Sequence, residues 1–273
     1  MNLEARIDSP LLRADASGVS TLTLNRPAAR NALSEALLDA LTRELDAIAT
    51  DRTIRVVILT GQGTVFSAGH DLRELTARRA DEDRGRAYFA DVLARCSAMM
   101  QRIVRLPQPV IAAVEGVATA AGCQLVASCD LAVAGANARF CTPGIHIGLF
   151  CSTPMVALSR NMSRKHAMEM LLLGDLVGAG DAHRFGLVNR VVEAGEAEAQ
   201  ARRMADVIAS KSPSTLKIGK KAFYEQVEMP LSQAYDHATE IMVENMLARD
   251  AEEGIGAFMG KREAVWEAGR APA

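Results

Sequence analysis

Apolar residues recur at helical spacing over residues 35–49, where Leu37, Leu38, Leu41, Leu45 and Ile48 share one face. Ser34 stands in front as a capping residue. Residues 18–25 (GVSTLTLN) alternate instead, which predicts a strand behind a hairpin-like turn. Short β-branched runs predict further buried strands over 55–60, 110–114, 131–134 and 187–192. A long helical pattern over 88–106 is stopped by Pro107 and Pro109. Beyond Met155 the pattern is mostly helical, over 155–159, 164–173, 196–210, 214–227, 231–249 and 251–267. Strand, turn and helix recur in that order without any repeat at the level of letters. This rhythm fits stacked ββα turns followed by a helical C-terminal part. A doubly wound nucleotide fold would carry a glycine-rich phosphate loop straight after its first strand, and none is present.

Two loops stand out. Residues 110–154 open on the strand VIAAV, pass through the small residues Gly116, Ala118, Ala120, Ala121 and Gly122, and then enter a helix-competent segment at 123–127. Residues 61–69 (GQGTVFSAG) form a turn-rich loop that runs into His70 and Asp71. Asp71 and Glu74 have capping-box spacing, so a helix should start there. Each junction leaves backbone N–H groups at a helix start, where negative charge is favoured. Small side chains let a ligand approach the backbone. Such a turn suits an anion or a developing oxyanion, or is simply a close-packed turn.

Composition narrows the field. The chain has 273 residues, of which 49% are hydrophobic and 23% charged, as in a globular protein with a substantial core. A net charge of −2 argues against a nucleic-acid surface. Cys96, Cys123, Cys129, Cys141 and Cys151 form no C-x-x-C pair and have no histidine at zinc spacing. No metal site is expected, and the thiols read as reduced in a cytoplasmic compartment. The first residues read as neither a secretory nor a good transit peptide, and no stretch reaches membrane-spanning length, so no membrane insertion is expected.

The strings NRPAARNALS, VVILTGQGTVFSAGHDLREL, PVIAAVEGVATAAGCQLVASCDLAVAGANARF and EGIGAFMGKR together resemble the crotonase, or enoyl-CoA hydratase/isomerase, superfamily over about residues 10–267. The resemblance implies an α/β fold: a spiral of ββα turns over 1–200 holding a CoA-thioester site, and a C-terminal helical region over 201–273 that mediates trimers or dimers of trimers. It implies acyl-CoA as the ligand, with no covalently bound cofactor. It also implies an oxyanion hole made of the backbone N–H groups of His70 and Ala121, the two junctions already singled out. CoA is expected against Ala68, His70, Asp71, Leu72 and Gly122, with Lys261 near its phosphates; otherwise Lys261 is a solvated surface lysine.

Hydratases of this family use two glutamates. The matching positions here are Gln124, three residues after Ala121, and Gly144, just after Pro143. Glutamine can hold a water but cannot take its proton at neutral pH, and glycine supplies no group. Each lost acid–base group costs about a hundred- to ten-thousand-fold in rate. Hydration is therefore expected to be weak or absent, and isomerisation weakens too. His70, His146 and Cys151 are the candidate substitutes. Two classes of function remain: an enzyme on acyl-CoA with an altered site, or a non-catalytic acyl-CoA-binding or scaffold trimer.

Overall fold

The computed structural model describes residues 9–266. Strand β1 (Leu11–Ala16) turns back through a hairpin into β2 (Val19–Leu24). The chain then makes coil after coil, each placing one strand in each of two sheets. The first coil carries helix α1 (Glu35–Thr50), β3 (Val56–Gly61), β4 (Val65–Ser67), α2 (Leu72–Ala77) and α3 (Arg86–Arg105). The second carries β5 (Val110–Val114), β6 (Val117–Thr119) and α4 (Ala121–Ser128), and the third begins with β7 (Leu131–Gly135) and β8 (Arg139–Cys141). Helices α5 (Pro154–Asn161) and α6 (Arg164–Leu173), β9 (Val177–Gly178), α7 (Ala179–Phe185) and β10 (Arg190–Val192) complete it. Four helices follow: α8 (Ala197–Ala209), α9 (Pro213–Gln226), α10 (Leu231–Leu247) and α11 (Arg249–Met259).

The larger sheet has the order β1-β2-β3-β5-β7-β10 and is parallel apart from the β1–β2 hairpin. The smaller has the order β4-β6-β8-β9, with β4, β6 and β8 parallel. Because strand side chains alternate, β3 and β5 feed two cores. Val57, Leu59, Val110, Ala112 and Val114 pack into the main core with α1, α3 and α4. Val56, Ile58, Ile111 and Ala113 face the other way, onto Ala197, Ala201 and Ala205 of α8.

The expected strands and long helices are present, with shifted ends. Helix α4 starts two residues before the expected 123, and the helix expected over 231–249 ends at Leu247. The last expected helix ends at Met259, and its expected end at Glu267 lies outside the described residues. The short strands β4, β6, β8 and β9 were not legible, because two or three residues carry no measurable alternation.

The C-terminal helices are fastened to the core by a buried polar knot. Lys220 Nζ in α9 donates to the carbonyls of Ile103 and Gln108, each at 3.0 Å, and to Asp130 Oδ2 at 2.7 Å. The same Asp130 oxygen accepts the Val110 N–H at the start of β5 at 2.7 Å, and Tyr224 OH meets the other at 3.0 Å. Desolvation pulls the Lys220 pKa below its ordinary value, against the opposing pull of Asp130.

Candidate active site

The parallel pairing of β4 with β6 aligns Ser67 with Ala118. His70 lies three residues past Ser67 and Ala121 three past Ala118, so the two are equivalent positions in successive coils. Their loops touch. A β-carbon built on Gly69, whose φ is +81°, would stand 3.0 Å from Ala120 Cβ and 3.1 Å from Ala121 N. One built on Gly122 would collide with the Ser67 carbonyl.

The His70 loop is held from the segment 26–33. Asn31, fully buried, donates from Nδ2 to the carbonyls of Gln62 (2.9 Å) and Val65 (2.7 Å). The Ala68 N–H donates to Arg30 O at 3.0 Å, the Gly69 N–H to Ser67 Oγ at 3.4 Å and the Asp71 N–H to Leu33 O at 3.4 Å. Of these four consecutive amides only that of His70 has no acceptor among the described residues. Across the contact, the Ala120 N–H is taken by Cys141 O at 2.9 Å. Ala120 itself adopts φ 49°, ψ −118°, a strained conformation for a residue with a β-carbon, and offers no side-chain cap. Ala121 therefore begins α4 with its amide unpartnered among the described residues.

Ala68, His70, Asp71 and Leu72 line one open cavity of about 580 Å³ together with Arg26, Arg30 and Arg73. The three arginines were not singled out in the sequence; the strings NRPAARN and DLRE carry them, and only folding puts them at one mouth. Arg26 is engaged with Asp71 at 3.1 Å. Asp71 caps α2 through the Arg73 N–H at 3.2 Å, as expected. The expected reciprocal half of the capping box is absent: the Glu74 carboxylate accepts instead from the Glu35 N–H at 3.0 Å, at the start of α1.

Gln124 follows one turn into α4, 5% exposed, its Oε1 sealed and without a hydrogen-bond partner. Gly144 is not an empty slot. Its β-carbon position is 2.8 Å from Leu149 O and 2.9 Å from Cys151 Sγ. The candidate substitutes look poor as bases or nucleophiles. Both ring nitrogens of His70 are shut from solvent with no partner, and burial lowers its pKa. Burial raises the Cys151 thiol pKa, which disfavours the thiolate. His146 is exposed, its ring edge against Gly174 at the end of α6. Lys261 is exposed just past α11, a helix that packs on α10 and α9. Among the described residues no cluster of three His, Cys, Asp or Glu could hold a metal ion. No helix of the described residues is long and apolar enough to cross a membrane.

Residues 14–269 match the family described as enoyl-CoA hydratase/isomerase. The chain belongs to that family. The human enoyl-CoA hydratase domain-containing protein 3, mitochondrial, is 46% identical over 249 residues, covering 91% of this chain and 80% of that one. The 2,3-dehydroadipyl-CoA hydratase of Escherichia coli is 37% identical over 255 residues, 93% of this chain and 97% of its own. Among solved structures, an enoyl-CoA hydratase of Mycobacterium smegmatis superposes with a TM-score of 0.89 at 50% identity, covering 94% of this chain and 98% of that one. The fold is thus the crotonase spiral of ββα turns, and the C-terminal helices are present. The cytoplasmic reading of the cysteines is overturned. The animal relatives, from rat to zebrafish, are named mitochondrial. Reduced thiols say only that the surroundings are not oxidising, which does not single out the cytoplasm.

Proposed function

We propose that this family member binds acyl-CoA thioesters and stabilises a thioester enolate, with little or no hydration. The carrying observation is the pair of unpartnered amides, His70 and Ala121, on two loops in direct contact. Two donors aimed at one carbonyl oxygen stabilise the charge that develops there when an α-proton leaves. CoA would lie along the cavity lined by Ala68, His70, Asp71 and Leu72, and Gly122 would serve it indirectly, its missing side chain letting α4 close on the Ser67 carbonyl. Arg30 and Arg73 at its mouth suit phosphate groups. Lys261 would add a further cation from the C-terminal region. No cofactor beyond the thioester itself is invoked.

Weak hydration follows from Gln124 and Gly144. Neither transfers a proton, and Cys151 with Leu149 fills the space a longer side chain at 144 would need. The same observation favours the second reading, an acyl-CoA-binding or scaffold trimer without turnover. Self-association through the C-terminal helices is supported by their exposed apolar residues Leu231 (76%), Tyr235 (70%), Leu247 (78%) and Phe258 (86%).

Loss of conjugated thioester absorbance with crotonyl-CoA tests the reading. A turnover number like that of ordinary hydratases would overturn the assignment of Gln124 and Gly144. Calorimetry with butyryl-CoA should show binding; no binding of any acyl-CoA would overturn the ligand.

A further inference from the structure

A second cavity lies away from the one beside His70, and the two share no lining residue. Its volume is about 360 Å³, and it sits between the last turns of α1 and α3. Ala49 of α1 and Ala98 of α3 are too small to close the gap between the two helices. Leu45 and Leu106, 2% and 4% exposed, give it an apolar floor. A space of this size falls within the range of small-molecule sites.

The rim carries unequal charge. Arg102 Nε donates to Asp46 Oδ1 at 2.9 Å, from α3 across to α1, so that cation is matched. Arg105 is not. Its Nη2 donates to the Gln101 carboxamide oxygen at 2.9 Å, and Gln101 Nε2 donates in turn to the Ser97 carbonyl at 3.3 Å. Arg105 has no ion pair among the described residues. A neutral carboxamide thus steers the guanidinium and leaves its charge, and most of its N–H donors, uncommitted. The C-terminal end of a helix does not favour an anion, but at α3 the Ile103 carbonyl already accepts from Lys220 Nζ at 3.0 Å.

We propose that this cavity binds a small amphipathic monocarboxylate, of the class of short- and medium-chain fatty acids, with its carboxylate on Arg105 and its apolar body on Leu45 and Leu106. Guanidinium and carboxylate match as a planar pair joined by two hydrogen bonds. One uncommitted cation suits one negative charge, and Asp46 on the same rim repels a more highly charged anion such as a phosphate monoester. An alcohol of equal length keeps the apolar contact but lacks the charge. A carboxylate without a chain keeps the charge but buries no apolar surface. This site does not require that acyl-CoA be the ligand of the other.

Saturation-transfer NMR on the full chain with hexanoate, hexanol and acetate tests this. Hexanoate should bind about tenfold more tightly than either of the others, the range of one charge-assisted hydrogen bond. Saturating butyryl-CoA should not displace it. Arg105→Met should remove the advantage of hexanoate over hexanol, and Ala49→Phe should fill the gap and weaken both. Both positions are exposed, so both variants should fold. Binding of none of the three, equal binding of hexanoate and hexanol, or an advantage that survives Arg105→Met overturns the proposal. So does unchanged binding in Ala49→Phe, or displacement by butyryl-CoA, which would place hexanoate in the other cavity.

Discussion

A β-carbon on Gly69 would stand 3.1 Å from the amide nitrogen of Ala121, so the two loops meet with no room for even a methyl group between them. The Gly69 backbone at φ +81° is also one that alanine adopts only under strain. Gly69→Ala should therefore cost about 1–3 kcal/mol of stability. It should also weaken butyryl-CoA binding, because the His70 and Ala121 amides are pushed apart. Thermal unfolding and calorimetry read the two effects; wild-type values in both would disprove the close approach.

The slot beside Gly144 makes a second prediction. Gly144→Ala should destabilise by about 1–3 kcal/mol, since the new atom meets Leu149 O and Cys151 Sγ. Cys151→Gly should relieve part of that cost, and a urea double-mutant cycle should show coupling between the two positions. Consequently Gln124→Glu with Gly144→Glu should gain little hydration unless Cys151 is reduced in size as well. Full hydratase activity in the two-site variant would contradict this.

His70 predicts a pH dependence. Its folded-state pKa is lowered by burial, so near pH 6.5 the unfolded chain binds a proton that the folded one refuses. Stability should fall as pH drops below about 6.5, by at most about 1.4 kcal/mol per unit, until the folded-state value is reached. His70→Leu should flatten that slope. It keeps the amide at position 70, so butyryl-CoA binding should survive. Urea unfolding at a series of pH values checks the first claim, and calorimetry the second.

The knot around Asp130 predicts a large effect far from the ligand. The Lys220 and Asp130 side chains are 8% and 15% exposed. Lys220→Met leaves a nearly buried carboxylate without its cation and should cost about 3–5 kcal/mol. Adding Asp130→Asn should recover part of the loss. A Tm unchanged in the single variant would show that α9 does not depend on this contact.

Much of this was legible in the sequence, and the reasons are local. Ser34, the Leu37–Ile48 stripe and the VIAAV run announce themselves by type and spacing, and α1 and β5 form where they say. The junctions at His70 and Ala121 were legible for the same reason. Their contact was not, because it comes from the pairing of β4 and β6, strands of three residues each. Nor could the letters show that Cys151 packs on Gly144, that Glu74 serves α1, or that Lys220 reaches Asp130, 90 residues away in the chain. Each depends on side chains from separate coils meeting.

The equal offset of His70 and Ala121 from Ser67 and Ala118 bears on how such a protein tolerates change. The paired donors are one location visited twice by a winding backbone. Adding or deleting a single residue between 67 and 70, or between 118 and 121, would put one visit out of phase with the other. Substitutions elsewhere along the coil leave the phase intact. Drift in letters is thus far safer here than drift in length.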